Sequence, residues 1–101
     1  MILYNVTVSI DSSIENEWIE WIREVHIPDL MKTGLFSGNK IMRLLDPKPD
    51  DGTNTYAVQY FLNSIEDYDI YLKEHSASFQ EKHNEKFKEK FMAFRTVLEI
   101  L

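Results

Sequence analysis

The chain has few side chains suited to acid–base or ligand chemistry: three histidines, five tyrosines, two tryptophans and no cysteine. His26 stands at the end of an apolar stripe in WIEWIREVHIPD, next to Ile22 and Ile19. An imidazole titrates near neutrality, so His26 is a candidate general base or ligand hydrogen-bond partner. The simpler reading makes it a histidine at a helix C-terminus, favoured there by about 0.3–1 kcal/mol and bonded to a loop carbonyl. Asp29 either orients it or caps the next short helix. Trp18 and Trp21 could stack a planar ligand, although their helical spacing among Ile and Val suits a core. Tyr56, Tyr60, Tyr68 and Tyr71 bring hydroxyls to the same sheet–helix junction, where they would tip a pocket or reach water. His75, Phe79, His83 and Phe87 share one helical line. His75 and His83 lie two turns apart, too far for the i,i+4 zinc pair of a metalloprotease.

Other chemistries are excluded by what the sequence lacks. Without cysteine there is no disulfide, thiolate nucleophile or Cys-ligated metal. No EF-hand, phosphate-loop, dinucleotide or nucleophile-elbow spacing occurs, and the three glycines Gly34, Gly38 and Gly52 make no phosphate cradle. No metal site is expected. The net charge of −6 argues against nucleic acid as a partner. The acidic excess lies in residues 1–72; HNEKFKEK at 83–90 reads as a solvated helix face laced with i,i+4 pairs. No apolar run approaches a membrane span and the start lacks a leader pattern, so a cytoplasmic, soluble protein with no membrane partner is expected.

The elements that must hold these residues are legible from period and caps. Ile2, Tyr4, Val6, Val8 and Ile10 alternate with Leu3, Asn5, Thr7 and Ser9, a strand with one apolar face. Ser12 with Glu15 forms a capping box, which starts a helix bearing Ile14, Trp18, Trp21, Ile22 and Val25. Pro28 ends or kinks that helix near His26, then opens a short turn of helix to Thr33 that Gly34 closes. Residues 36–45 read as a second strand. DPKPDDGTN at 46–54 reads as an exposed hairpin loop. Tyr56, Val58, Tyr60 and Leu62 share one face of a third strand at 55–62. Asn63 or Ser64 caps a second helix with Ile65, Tyr68, Tyr71 and Leu72, which breaks near Ser76–Ser78 and restarts. The last strand spans Phe91–Leu101, with Met92, Phe94, Leu98 and Ile100 on one face.

The order β-α-β-β-α-β across a single domain, residues 1–101, indicates an α+β ferredoxin-like plait: a four-stranded antiparallel sheet with its helices on one face. The second sheet face is assigned Leu3, Asn5, Thr7, Ala57, Gln59, Phe61, Phe91, Ala93, Arg95 and Val97. That mixture suits a sheet–sheet contact better than a wet surface. A homodimer is therefore expected, with Asn5, Thr7, Gln59, Ala93 and Arg95 at its interface.

The stretches YNVTV at 4–8, Trp-x-x-Trp…HIPD…TG-x-F at 18–36, YAVQY at 56–60 and KFMAFRTVLE at 90–99 carry a resemblance over nearly the full length. The chain resembles an uncharacterised bacterial domain-of-unknown-function family within the dimeric α/β-barrel superfamily. The resemblance implies a ferredoxin-like fold paired into a dimeric α/β barrel, and no particular activity. The wider superfamily includes cofactor-free monooxygenases, haem-degrading enzymes and binding proteins. In the haem-degrading members an Asn on the first strand and a Trp and a His on the second helix form the site. Asn5, Tyr71 and His83 fall at similar places, with Tyr71 where those enzymes carry tryptophan and Asn5 of the opposite sheet-face parity.

The expected function is small-ligand or protein-partner binding at a groove between sheet and helices, with Trp21, His26, Tyr60, Tyr71 and His83 as candidate liners. No cofactor is expected in that reading. The alternative is a cofactor-free monooxygenase or haem-degrading-type enzyme using the same groove, for which haem is the candidate group.

Overall fold

The computed structural model describes residues 1–49 and 52–101. Strand β1 (Ile2–Asp11) occupies an inner position of a four-stranded antiparallel sheet ordered β2-β3-β1-β4, with β2 at Gly38–Arg43, β3 at Thr53–Leu62 and β4 at Phe91–Glu99. All neighbouring strands run antiparallel. This is the ferredoxin-like α+β arrangement, with the helices on one face.

The expected alternation places Ile2, Tyr4, Val8 and Ile10 of β1 in the core beside Tyr56, Val58, Tyr60 and Leu62 of β3. The first crossover begins with a turn of 3-10 helix (Ser12–Ile14) and continues as α1 (Glu15–Trp21). Its cap differs from the expected box. Asp11, not Ser12, accepts from the Ser13 backbone N–H at 2.9 Å, and the Asp11 carboxyl is held below its usual pKa by that residue's hydroxyl and N–H. A carboxylate accepts more strongly than a hydroxyl, and Asp11 already has the extended backbone of an N-cap.

Pro28 does not end the helix. It has no N–H to give, and its ring would press on the carbonyl four residues back. The chain widens into one π turn, Ile22–His26, in which the Ile27 N–H reaches the Ile22 carbonyl, and then continues as α2 (Ile27–Met31). Gly34, at φ 78°, takes the left-handed conformation just past it. Trp18, Ile22, Ile27 and Leu30 point from this rod into the core, while Val25 faces solvent.

The second crossover breaks as expected. Ser64 caps α3 (Ile65–Glu74) by accepting from the Asp67 N–H, and the path resumes at α4 (Ser76–Lys86) after His75. Phe36, Tyr71 and Phe87 complete the core; Ile65 and Leu72 lie outside it. Of the loop expected at 46–54, Asp50 and Asp51 lie outside the described residues.

The register of β4 corrects one expectation. Val8 opposes Ala93 and Val6 opposes Arg95, so Phe91, Ala93, Arg95 and Val97 share the helix-facing side with Tyr4 and Val8. Met92, Phe94 and Leu98 oppose Ser9, Thr7 and Leu3 on the open face. Both parities of FMAFRTVLE are apolar, so period alone does not choose between them. The packing does: Phe91 sets its ring edge-on to His83 with centroids 4.3 Å apart, which turns β4 inward at its first residue. Ala93 and Arg95 therefore leave the proposed interface face, where Asn5, Thr7 and Gln59 remain.

Candidate functional site

Val6 is the one helix-facing position of β1 between Ile2 and Ile10 that the helices leave incompletely covered. Over it lies a cleft between sheet and helices. Its floor is Tyr4, Val6, Val8, Val58, Tyr60, Ala93 and Arg95 from the strands. Its roof is Trp18, Ile22, His26 and Leu30 from the first crossover, with Tyr71, Phe79, Gln80 and His83 from the second. The cleft holds about 30 Å³ of water-sized space, room for one or two waters.

Four of the five liners expected from sequence border this cleft: His26, Tyr60, Tyr71 and His83. Trp21 lies behind it. Its indole stacks on His26 at 5.1 Å between centroids and meets His83 and Phe87 edge-on. Tyr4, Trp18 and Arg95 also border the cleft; the sequence pattern favoured the core for Trp18, put Tyr4 on the helix-facing side of β1 and put Arg95 on the opposite sheet face. The available signal was a lone cation amid the apolar residues of β4.

Hydrogen bonding fixes the state of one histidine. The Trp18 indole N–H donates to His83 Nε2 at 2.8 Å, so the neutral ring carries its hydrogen on Nδ1. Burial pushes the His83 pKa down to about 4, with Arg95 adding to the effect. Burial likewise lowers His26 to about 4, reinforced by His83, Arg95 and Lys82. Both imidazoles are neutral at pH 7. Burial raises the hydroxyls of Tyr60 and Tyr71 above the ordinary tyrosine range, so they stay protonated. Tyr4 is also raised by burial, opposed by the Arg95 guanidinium beside it. Tyr4 and Tyr60 face each other across β1 and β3 and stack at 6.0 Å. The Tyr60 hydroxyl has no hydrogen-bond partner, although the residue is 1% exposed.

The cleft is thus an aromatic chamber with hydroxyl donors, two neutral imidazoles, one guanidinium and no carboxylate among its lining residues. Its lining offers no carboxylate to balance the charge of a divalent cation. Among the described residues, no group of three or more His, Cys, Asp or Glu is placed to hold a metal ion. The haem constellation does not assemble either. Asn5 faces the opposite side of the sheet, bonded to Thr7 and Gln59. Nε2 of His83 is engaged by Trp18 rather than free for iron, and the cleft is far too small for a porphyrin.

A separate polar cluster lies at the rim of α1. The Tyr56 hydroxyl donates to Glu15 Oε2, Asn54 Nδ2 donates to Glu15 Oε1 at 2.9 Å, and Arg43 Nε donates to the Tyr56 oxygen at 3.1 Å. The Tyr56 ring packs on Trp18 at 5.1 Å, which links this cluster to the roof of the cleft.

A sequence family, described as a domain of unknown function, matches residues 1–101. The chain belongs to that family, DUF4286. No curated protein matches this DUF4286 chain. Among solved structures it is similar to HapK from Hahella chejuensis, with a TM-score of 0.72 at 11% identity, covering 100% of this chain and 93% of that one. It is similar to a dimeric ferredoxin-like protein from an uncultured marine organism, with a TM-score of 0.67 at 14% identity, covering 100% and 95%. A Bacillus cereus protein provisionally assigned as an antibiotic-biosynthesis monooxygenase gives a TM-score of 0.61 at 16% identity, covering 98% and 91%. At these identities the likeness is one of fold, and it places the DUF4286 chain among ferredoxin-like proteins.

Proposed function

We propose that this protein is a homodimer that binds a small ligand in the cleft between sheet and helices. The observation that carries the reading is the buried, unpartnered Tyr60 hydroxyl lining an aromatic chamber. A buried donor without a partner is costly, and a ligand or an ordered water relieves it.

The dimer reading rests on the open sheet face. Met92, Phe94 and Leu98 are 79%, 61% and 51% exposed there. Beside them Gln59 donates to Asn5, and Asn5 donates to Thr7 and Thr96, so these four side chains form one network. That network can be covered without stranding the Asn5 amide, and a second copy offers the matching face. The likeness to a dimeric ferredoxin-like protein supports a dimer. Neither nucleic acid nor a membrane surface is proposed as a partner.

Native mass spectrometry of protein purified from its own host tests both parts. A dimer carrying a reproducible extra mass is expected. A bare dimer would sink the ligand reading and turn attention to a protein partner, and a bare monomer would sink the dimer.

A second reading, a cofactor-free monooxygenase, rests on His26, a neutral imidazole able to take a proton from a ligand in the cleft. In that case His26→Ala abolishes dioxygen consumption with the host ligand while leaving its binding intact. If binding is lost as well, His26 is a contact residue rather than a base.

A further inference from the structure

We infer that the cleft takes a small planar monocarboxylate, whose charged head is held by Arg95, Tyr4 and Tyr60. This rests on the ligand-binding reading above and names the class of ligand.

On the strand floor the cleft's unused hydrogen-bonding capacity is donor capacity, whereas the acceptors it offers, the His26 imidazole and the Gln80 amide, lie on the helical roof. Its principal imidazole acceptor, Nε2 of His83, is taken by Trp18. The Tyr60 hydroxyl has a hydrogen to give and nothing to give it to. Arg95 lines the same cleft, and no ion pair to it occurs among the described residues. Acidic side chains outnumber basic ones in this chain, 17 to 11, so surface carboxylates were available to neutralise it. None lines the cleft.

The three groups are neighbours by register. Tyr60 opposes Tyr4, and Arg95 opposes Val6, the next inward residue after Tyr4 on β1. They therefore occupy adjacent rows of three adjoining strands on one face. Arg95 is exposed at the mouth and Tyr60 is buried at depth, which grades the site from charged to neutral donors. A carboxylate presents two oxygens with several lone pairs, the acceptor that a guanidinium and two hydroxyls together require. The head alone fits the small inner space, and the partly exposed Val6, Phe79 and Ala93 leave apolar walls for the body at the mouth.

The test is calorimetric titration of the intact protein with benzoate and with benzamide, its neutral isostere, at low and at raised salt. Benzoate should bind about tenfold tighter than benzamide, with the preference shrinking in salt. Arg95→Gln should bring the two probes to within roughly twofold, with most of the change in the benzoate affinity. Tyr60→Phe should weaken benzoate by about fivefold to tenfold without lowering the melting temperature, because the hydroxyl it removes bonds to nothing. Equal binding of both probes by the unmodified protein overturns the carboxylate inference and leaves the ligand reading standing. An unaltered benzoate affinity in Tyr60→Phe also overturns it, since that hydroxyl would then serve only water. Binding of neither probe removes the inference and counts against the cleft itself.

Discussion

Trp18 and His83 lie 65 positions apart in the chain, and one buried hydrogen bond of 2.8 Å joins them. It ties α1 to α4 over the sheet and settles which nitrogen of His83 carries the hydrogen. Trp18→Phe keeps an aromatic ring but removes the donor and leaves a void. The expected cost is about 2–3 kcal/mol, read from chemical unfolding. With Nε2 released, the His83 pKa should climb from about 4. An NMR titration that finds it unmoved would show that the bond does not govern the imidazole.

Acid should unfold this protein through its histidines. His26 and His83 are held at about 4 in the folded chain, chiefly by burial, against about 6.5 for an unfolded chain. Above pH 6.5 neither state takes the proton and stability is full. Between about 6.5 and 4 the unfolded chain binds protons that the folded chain refuses, so stability falls with pH, on the order of 3 kcal/mol per histidine by pH 4. Urea midpoints should be level above pH 7 and decline below 6.5. His26→Phe should remove part of that slope, and a level profile down to pH 4.5 would contradict the burial of both rings.

The open face gives a direct test of assembly. Phe94→Glu and Leu98→Glu each place a carboxylate among Met92, Thr7 and Leu3, far from the cleft. Sedimentation velocity should show the dimer dissociating to a folded monomer in both variants. An unchanged sedimentation coefficient in both would move the interface elsewhere.

Glu15 accepts from Tyr56 and Asn54, which anchors α1 to β3. Glu15→Gln keeps the shape, removes the charge and puts a donor where two donors already point. The expected loss is about 1–2 kcal/mol. The Tyr56 hydroxyl, raised by burial first and by its bond to Glu15 second, should also ionise at lower pH in this variant. Spectrophotometric titration of the tyrosines checks it.

Most elements were legible because each had one dominant periodicity. Ile2 to Ile10 and Tyr56 to Leu62 alternate cleanly, and only one face of each can be buried. The failures have physical causes. β4 is apolar on both parities, so its facing was decided by the contact of Phe91 with His83, which no local pattern encodes. That error moved Arg95 to the wrong side of the sheet and hid the one cation of the cleft. Pro28 was read as a stop or kink, because from sequence alone a π turn looks the same as a helix end. His83 was visible as a residue on a helical line. Its partner Trp18 was not, since a bond between distant helices leaves no spacing signature.

Both indoles of this chain sit at the joint described first: Trp18 bonds to His83, and Trp21 stacks on His26. The protein thus carries a built-in optical probe of its own centre. An imidazolium drains the excited state of an adjacent indole far better than a neutral imidazole does. Intrinsic emission should therefore dim as these two rings take up protons. A single unlabelled sample, followed at two wavelengths, can separate charging of the interior from loss of the fold.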